Sequence, residues 1–373
     1  MSRRFTFYEF FAGGGMARLG LGGGWQCLFA NDFDPLKAAT YRANFEDAAG
    51  HFREGDIWRL TPDDLPGVAD LAWASSPCQD FSLAGARAGL AGGRSSAFFG
   101  FWKLIEGLAN ENRAPKVIVI ENVTGLLTSH GGADFEALCS ALAAQGYRFG
   151  ALEIDAGLFT PQSRARIFVV AVRDPSPAEG PSPFHTRGVR AAHDRLPPAL
   201  KKVWVWWPLA AQPRRNTDLA AVLEPDAACL WRAPAQTAAL LDLMDDRNRA
   251  KVDLLFRGGG GRHVGAVFRR IRAGRQRAEV RFDGMAGCLR TPGGGSSRQL
   301  LLLIENGEAK SRWLTAREGA RLMGLADHYR LPRAQSPGLK VIGDGVVVPV
   351  VRHLAAGLLE SLLAAKDGKP AAA

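Results

Sequence analysis

The chain has 373 residues, of which 47% are hydrophobic, and a formal net charge of +10. This length and composition can build one large hydrophobic core and a second, smaller domain. No apolar run is long enough to span a bilayer, and the first residues lack the features of a secretory signal, so we expect a cytoplasmic protein without a membrane partner. The five cysteines are scattered and include no C-x-x-C pair, which argues against a disulfide framework or a metal site.

The positive charge is concentrated in one segment. Between Arg187 and Arg281 the chain carries 19 basic and 9 acidic residues, and the remainder is balanced. A run of charge usually forms a solvated surface. Because the whole excess lies in about a quarter of the chain, we favour the binding of a polyanion.

In chain order, the first part of the sequence alternates short β-like runs with helical patterns. The runs are RFTFYEFF, WQCLFAN, ADLAWASS, KVIVIEN, FGALEID and RIFVVAV. This alternation predicts a doubly wound α/β domain. The alternation stops where the proline content rises near Pro175, and we place the domain over residues 1–186.

A smaller, irregular domain is predicted over residues 187–310. It contains a tryptophan run, a glycine run and the basic ribbon VFRRIRAGRQRAEVRF. We expect Trp204, Trp206 and Trp207 to pack within this domain, since alternate aromatic residues in a short strand usually face a core. Regular patterns return over residues 311–373, which end in a helix.

A glycine-rich turn follows the first predicted strand, in FYEFFAGGGMARLGLGG. Gly13 and Gly15 would let a ligand approach the backbone at the carboxyl end of the strand, which implies a nucleotide-type cofactor. A tight turn with small residues for packing explains the pattern equally well. Arg18 stands where the third glycine of the dinucleotide fingerprint belongs, which disfavours a dehydrogenase.

Acidic residues follow the next predicted strand and a short apolar stretch after it. Asp32 is positioned to accept hydrogen bonds from a ribose diol, and Asp56 is a further polar residue at the end of an apolar stretch. Asp34 has a structural interpretation, because an aspartate before a proline is typical of a helix N-cap. Together with the glycine turn, Asp32 and Asp56 predict a cofactor crevice.

Cys78 ends another apolar run, in ASSPCQDFSLAG. A buried structural cysteine fits Cys27 and Cys139, which lie inside apolar patterns. Cys78 instead follows a strand and should emerge at the same edge as Gly13 and Asp32.

The segment SPCQDFSLAG resembles the Pro-Cys-Gln nucleophile motif of the DNA cytosine-5 methyltransferases of bacterial and phage type. Further motifs follow in the order of that family: IENV, PQSRARIF, LTAREGARLMGLAD and IGDGVVVPVVRHLA. The resemblance covers nearly the whole chain outside the basic segment. It implies a Rossmann-like class I methyltransferase fold, with residues 1–186 and 311–373 forming the catalytic domain and residues 187–310 the target-recognition domain.

The resemblance also implies the reaction. S-adenosylmethionine (AdoMet) would donate a methyl group to C5 of a cytosine flipped out of a specific double-stranded DNA sequence, and the loop after Cys78 would close on the DNA. Cys78 would add to C6 as the covalent nucleophile, and Glu121 would assist at N3. Arg166 would hold O2 of the base, and Arg164 would lie near the thiolate or a backbone phosphate. No residue is identified as the base that removes the C5 proton.

Two further sets of contacts are implied. The expected cofactor contacts are Phe11, Gly13, Gly15, Asp32, Phe33, Asp56, Ile57 and Asp344. The expected DNA contacts are Gln79, Ser82, Arg94, Arg269, Arg270, Arg272, Arg275 and Arg277.

The chain departs from the family pattern at several positions. Glu9 and Met16 replace an aspartate and a glycine, and Asp344 replaces an asparagine in the last motif. Asp344 can accept a hydrogen bond but cannot donate one as asparagine does. Cys288 lies where a threonine is frequent, and we expect it to be structural.

Other functions remain open at this point. A transfer-RNA cytosine methyltransferase has similar motifs but usually carries a Cys-Phe-Thr signature, which this sequence lacks. A non-catalytic DNA-binding regulator would be expected to have lost Cys78 or Glu121. We expect a monomer that acts on double-stranded DNA, with a cognate restriction endonuclease as a functional partner.

Overall fold

The computed structural model describes residues 4–76, 97–174, 176–212, 215–258, 260–291 and 298–364. The chain divides into two compact units. The larger comprises Met1–Asp155, Ala165–Pro213 and Val346–Ala373, and the smaller comprises Ala156–Arg164 and Arg214–Gly345.

Eleven strands are present in the described residues. They are β1 (Phe5–Phe10), β2 (Trp25–Asp32), β3 (Phe52–Glu54), β4 (Leu71–Ala74), β5 (Val117–Val123), β6 (Arg148–Asp155), β7 (Ala165–Val172), β8 (His263–Arg272), β9 (Arg275–Arg281), β10 (Leu300–Glu305) and β11 (Glu308–Trp313). The first seven form one sheet in the larger unit and the last four form a second sheet in the smaller unit.

The helices of the described chain follow the same two-unit division. They are α1 (Met16–Leu21), α2 (Pro35–Asn44), α3 (Ala48–His51), α4 (Ala97–Asn110), α5 (Ala133–Ala144), α6 (Arg187–Arg195), α7 (Pro198–Lys201), α8 (Pro234–Asp242), α9 (Asp246–Arg257), α10 (Ala316–Leu322), α11 (Gln335–Gly343), α12 (Val348–Leu354) and α13 (Glu360–Ala364). A π-helical turn, Ala355–Leu359, joins α12 to α13.

The large sheet has the strand order β3-β2-β1-β4-β5-β7-β6. Strands β1 to β5 pair in parallel, whereas β7 runs antiparallel to both of its neighbours. All four residues of β4 are buried, which is typical of a parallel strand covered on both faces. The doubly wound α/β sheet predicted from the sequence is therefore confirmed.

Local sequence signals explain where the first helices begin and pack. The Asp34 side chain accepts hydrogen bonds from the backbone N–H groups of Leu36 and Lys37, at 2.9 and 3.3 Å, and Pro35 opens α2. The predicted N-cap is thus confirmed. Gly20 allows α12 to approach α1, because an added Cβ would lie 2.4 Å from the Cβ of Val351.

The tryptophan run belongs to the larger unit, although we expected it in the smaller domain. Backbone hydrogen bonds join Phe149 of β6 to Val203 and Val205, and the Trp207 indole donates to the carbonyl of Val170 at 3.1 Å. Trp204 lies in the hydrophobic core of the large sheet. The expectation that these residues face a core holds, but residues 187–213 lie outside the unit predicted for them.

The smaller unit is built on the antiparallel sheet β11-β10-β8-β9. Its extent also differs from the predicted boundary at residue 310, because β11 pairs with β10 and is an edge strand of this sheet. Arg312 on β11 forms a fully buried ion pair with Glu318 at the start of α10. These contacts assign residues 311–345 to the smaller unit.

We expected no apolar run long enough to span a bilayer, but one helical stretch of the described chain, Gln335–Ala364, is long and apolar enough to do so by length and composition. Half of its most apolar window is buried inside the protein, and core helices of globular domains pass the same test.

Candidate active site

The ends of β1 and β2 and the residues after β3 meet at one edge of the large sheet. The backbone N–H of Gly13 donates to Asp32 Oδ2 at 2.8 Å. The N–H of Gly55 donates to the Asp32 carbonyl at 3.0 Å, and Asn31 Nδ2 donates to the Gly55 carbonyl at the same distance. The three segments predicted to bind a cofactor are therefore brought together.

The two glycines of the turn have different roles. Gly13 has a φ of +56°, and a Cβ added there would meet no atom of the described chain within 4 Å. At Gly15, also with positive φ, an added Cβ would lie 2.2 Å from a ring carbon of Phe45. Gly13 thus leaves space for a ligand, whereas Gly15 permits the packing of Phe45. Phe11 adopts a φ of +57°, a strained conformation for a bulky residue.

The acidic and aromatic residues around Gly13 suit a nucleoside. Asp32 is 4% exposed, and its Oδ1 accepts from the Asp34 N–H at 2.9 Å. Phe33 directly after it is 68% exposed, which leaves its ring available for stacking. Asp56 caps a short helical turn by accepting from the Trp58 N–H at 3.1 Å. The Ile57 side chain lies in the hydrophobic core, so it presents no side-chain contact to a ligand here.

Glu9 on β1 is a buried carboxyl beneath the glycine turn. Its Oε1 accepts from the Arg18 N–H at 3.4 Å, and its Oε2 has no hydrogen-bond partner among the described residues. The pKa of Glu9 is raised to about 8, chiefly by burial and to a smaller extent by the charge of Asp32, while the positive charge of Arg18 opposes the shift. The open space at Gly13, the buried Asp32 carboxyl and the exposed Phe33 ring are what fit the nucleoside of a cofactor such as AdoMet.

Arg18, the residue that argued against a dinucleotide fingerprint, ties α1 to the segment after α2. Its guanidinium donates to both carboxylate oxygens of Asp47, at 2.7 and 2.8 Å, and lies 2.9 Å from His51 Nε2. It also stacks over the Phe45 ring, with 4.2 Å between Cζ and the ring centre. Arg18 is therefore a structural residue of the turn.

Glu121 and Arg166 lie on the neighbouring strands β5 and β7. Arg166 Nε is 3.3 Å from Glu121 Oε1, and both side chains are mostly buried. In the sheet register Arg166 opposes Val123, so Glu121 is its diagonal neighbour on the same face. The structure thus brings together the carboxyl expected at N3 and the guanidinium expected at O2.

Asn122, which the sequence reasoning did not single out, anchors the chain that leads to Cys78. Its side-chain Nδ2 donates to the Ser76 carbonyl at 3.0 Å, and both residues are buried. The signal available for Asn122 was its position in IENV, next to Glu121. The following segment lies outside the described residues and contains four predicted site residues: Cys78, Gln79, Ser82 and Arg94.

Arg164 is a buried connector within the smaller unit. It is 3% exposed and donates to the carbonyls of Leu289, Gly343 and Gly345, at 2.8, 3.1 and 2.7 Å. Its guanidinium thus holds three backbone carbonyls. Its expected place near the thiolate or a phosphate stays a prediction, because Cys78 lies outside the described residues. Arg164 Nη1 also donates to Cys288 Sγ at 3.5 Å, in line with a structural Cys288.

Asp344 lies directly after α11 and is exposed. Its carboxylate accepts a short hydrogen bond from the Thr291 hydroxyl. The negative charge at this position is therefore engaged by a neighbouring side chain.

The predicted basic ribbon forms the β8–β9 hairpin. Its two-residue turn, Ala273–Gly274, has positive φ at both residues, as a type I′ turn requires. Because side chains alternate along a strand, Arg270, Arg272, Arg275 and Arg277 share one face of the hairpin. Four of the five hairpin arginines that were predicted to contact DNA thus point the same way.

The hairpin arginines differ in their partners. Glu279 lies between Arg270 and Arg272, with Nε to carboxylate distances of 3.4 and 2.7 Å. Arg269 is on the opposite face, half-buried, with its Cζ 5.0 Å from the Trp313 ring centre.

One group of potential metal ligands occurs in the described chain, at Glu224, Cys229 and Glu318. Both oxygens of Glu318 accept from the Arg312 guanidinium, at 2.6 and 2.8 Å. They also accept from the N–H groups of Glu224 and Thr315. This saturation makes the group an ion-pair network and leaves no lone pair suited to a metal.

Comparison with known proteins identifies the class of this arrangement. The C-5 cytosine-specific DNA methylase family matches residues 5–360. The type II methyltransferase M.HhaI of Haemophilus parahaemolyticus is 26% identical over 361 residues, which cover 95% of this chain and 94% of that protein. M.BsuFI of Bacillus subtilis is 26% identical over 365 residues, or 97% of this chain and 74% of that protein.

A solved structure supports the fold. The S. pombe Dnmt2 methyltransferase has a TM-score of 0.60 at 17% identity, and the match covers 96% of this chain and 99% of that chain. The Rossmann-like fold and the assignment as a DNA (cytosine-5) methyltransferase, both predicted from the sequence, are confirmed. The chain belongs to the C-5 cytosine-specific DNA methylases.

Proposed function

We propose that the protein transfers a methyl group from AdoMet to C5 of a cytosine flipped out of a specific double-stranded DNA sequence, through a covalent bond between Cys78 and C6. The observation that carries this proposal is the Glu121–Arg166 pair at 3.3 Å, beside the Asn122–Ser76 hydrogen bond. Two residues after Ser76 the chain reaches Cys78.

The chemistry explains the residue types. The Cys78 thiolate adds to C6, and Glu121 supplies a proton or a hydrogen bond at N3, so the ring becomes an enamine whose C5 is nucleophilic. Arg166 holds O2 and orients the Glu121 carboxyl. After C5 takes the methyl group, a base, for which water is a candidate, removes the C5 proton, and the electron pair restores the double bond and expels the Cys78 thiolate.

Residues around Gly13 would hold the cofactor, which supplies the methyl group as a sulfonium when bound. Asp32 and Asp56 would accept hydrogen bonds, and the exposed Phe33 ring would stack on the adenine. The backbone at Phe11, Gly13 and Ile57 would contribute contacts without side chains.

The smaller unit would select the DNA sequence. The four arginines on one face of the β8–β9 hairpin provide phosphate contacts and guanine contacts. The segment with Gln79, Ser82 and Arg94 would contact the DNA around the flipped cytosine. Extrusion of the base costs roughly a few kcal/mol, which these contacts offset.

The cellular setting is part of the proposal. Both relatives named above are type II methyltransferases, which favours a cognate restriction endonuclease as functional partner. We propose a cytoplasmic monomer that associates with the DNA of the nucleoid.

Covalent trapping tests the mechanism. A duplex with 5-fluorocytosine at the target should form an adduct that survives denaturation, because fluorine cannot leave as a cation. Cys78→Ser should abolish the adduct, whereas Cys229→Ser, which removes a different half-buried thiol, should retain it. An adduct formed by Cys78→Ser would overturn the assignment.

The target is found with bisulfite sequencing of genomic DNA from a methylation-free host that expresses the protein. Methylated cytosines in one sequence context are expected. Methyl transfer to transfer RNA with none to duplex DNA would replace this proposal with the RNA-modifying alternative.

A further inference from the structure

Two arginines lie over the ring of Trp313 at the end of β11, and a third lies beside the same strand. Cζ of Arg269 lies 5.0 Å, and Cζ of Arg298 5.3 Å, from the Trp313 ring centre. Arg232 runs beside the same strand, where its N–H donates to the Ser311 carbonyl at 3.0 Å and its Nη1 to the Ser311 hydroxyl at 3.3 Å. We call Arg232, Arg269 and Arg298 the Trp313 arginine cluster.

The cluster lies on one face of the small sheet. Leu300 of β10 opposes both Val267 of β8 and Trp313 of β11. Arg269 follows Val267 by two residues on β8 and so lies on the face that carries Trp313, and Arg298 lies two residues before the start of β10. The positive charges of these arginines repel one another.

Burial adds to this repulsion. Desolvation lowers the pKa of Arg298, and desolvation together with the charge of Arg269 lowers the pKa of Arg232. Arginine keeps its proton even so, because its pKa remains far above neutral pH. The fold therefore holds partly desolvated positive charges close together.

Acidic partners do not offset these charges at two of the three positions. Within the described ranges, neither Arg232 nor Arg298 forms an ion pair with a carboxylate, and the buried Nε of Arg298 has no hydrogen-bond partner. The indole of Trp313 stabilises guanidinium groups near its ring by cation–π attraction but brings no negative charge. Among the described residues, an anion is the group that Arg232 and Arg298 lack.

We infer that the Trp313 arginine cluster binds one phosphate group of the DNA backbone. Planar guanidinium forks match the geometry of phosphate oxygens, and a charge-assisted contact is strongest where the cations are already desolvated. The cluster is on the face opposite Arg270, Arg272, Arg275 and Arg277, so it supplies a contact separate from theirs. This inference rests on the proposed function, since it takes duplex DNA as the substrate.

The test measures how DNA affinity depends on salt, with a duplex that carries the target found by bisulfite sequencing. The variants are Arg232→Gln, Arg298→Gln and the double variant. Lys310→Gln is the matched control. Lys310 lies on β11, the strand of Trp313, but on its opposite face, so this variant removes one positive charge outside the cluster. Thermal unfolding in phosphate-free buffer establishes that each variant is folded. Should Arg298→Gln not fold, Arg232→Gln carries the same test.

If the arginines of the cluster share one phosphate, a specific result follows. The double variant should reduce the slope of log affinity against log salt by about one unit rather than two, and weaken binding about tenfold or more at low salt. Site preference should not change, since phosphate contacts carry no base information. The control should keep the wild-type slope.

Inorganic phosphate distinguishes the source of the anion. Without DNA, phosphate should raise the Tm of the wild type above that in chloride of equal ionic strength, and this rise should be lost in the double variant. Phosphate stabilisation with an unchanged DNA slope would mean that the site takes free phosphate, which overturns the DNA assignment. The inference is also overturned if the double variant keeps both the wild-type salt slope and the rise in Tm with phosphate. A wild type that neither binds nor methylates DNA would instead defeat the proposed function.

Discussion

Arg166 Nε lies 3.3 Å from Glu121 Oε1 across two antiparallel strands, and both side chains are largely shielded from water. The pair is held by the sheet itself, because Arg166 opposes Val123 in the β5–β7 register. A carboxyl fixed by backbone pairing keeps its orientation when the substrate arrives. This geometry makes Glu121 the side chain whose chemistry is most directly testable.

Glu121→Ala should lower kcat for methyl transfer by about 10²- to 10⁴-fold, the range of general acid–base assistance. Glu121→Gln should lose less, because an amide N–H can still donate to N3. Single-turnover transfer measures the chemical step, and DNA affinity should stay within about threefold because the contact matters chiefly in the transition state.

Glu106→Gln is the control, since Glu106 is an exposed carboxyl on α4. Equal rates for Glu121→Ala and the wild type would remove Glu121 from the chemistry.

The α/β sheet and the turns around it could be predicted from the sequence because each of their signals is local. The Asp34 cap and the glycine turn need only a few neighbouring residues. The antiparallel β7 was not predicted, because an apolar run such as RIFVVAV has the same pattern in either direction.

Long-range contacts explain what the sequence did not predict. The Trp207 indole donates to the carbonyl of Val170, 37 positions earlier, and so joins the large sheet. The smaller domain was predicted largely from the distribution of charge, which does not show how buried residues pack. Arg164 reaches carbonyls at Gly343 and Gly345, which lie 179 and 181 positions away. No local pattern distinguishes such a buried connector from an arginine that meets substrate.

Arg164→Ala should destabilise the smaller unit. It leaves the carbonyls of Leu289, Gly343 and Gly345 without their donor, at about 1–3 kcal/mol for each buried acceptor. We expect the free energy of unfolding to fall by about 3 kcal/mol or more, measured by urea titration.

Arg249→Ala is the comparison, because Arg249 forms a solvent-exposed ion pair with Asp253, a type that contributes little. Similar urea midpoints for Arg164→Ala and Arg249→Ala would contradict the buried-connector role.

Glu9 should make stability depend on pH. Burial raises its pKa from 4.5 to about 8, so the folded state retains a proton that the unfolded state releases. The resulting stabilisation is full below the unfolded pKa and is lost as pH rises towards 8. Glu9→Gln, which stays neutral, should therefore gain stability relative to the wild type between pH 4.5 and 8 and change little above that.

Urea unfolding of the cofactor-free protein at several pH values measures this difference. Glu106→Gln should give a curve parallel to the wild type. A parallel curve for Glu9→Gln would show that Glu9 is ionised in the folded state throughout this range.

Asp344→Asn should leave AdoMet affinity almost unchanged. Asp344 accepts from the Thr291 hydroxyl, and an asparagine Oδ1 can accept the same hydrogen bond. Calorimetry should give less than a threefold change. A tenfold gain, about 1.4 kcal/mol, would mean that the aspartate impairs the pocket.

The hairpin arginines should separate into two classes. Glu279 fixes Arg270 and Arg272 by ion pairs, and a fixed guanidinium is suited to reading a guanine edge. Arg275 lies at the exposed tip after the turn, where a phosphate contact needs less exact orientation. Arg272→Ala should relax preference at one position of the target by about tenfold. Arg275→Ala should weaken all sequences alike and reduce the salt slope by about one unit.

Glu279→Gln sharpens this distinction without removing an arginine. It releases Arg270 and Arg272 from their shared carboxylate, so specificity should fall while total DNA affinity holds or rises through the lost negative charge. Methylation of a randomised-site library across salt concentrations measures both quantities. Unchanged affinity, salt slope and site preference in all three variants would make this hairpin face a solvated surface, and target selection would then have to lie in another part of the chain.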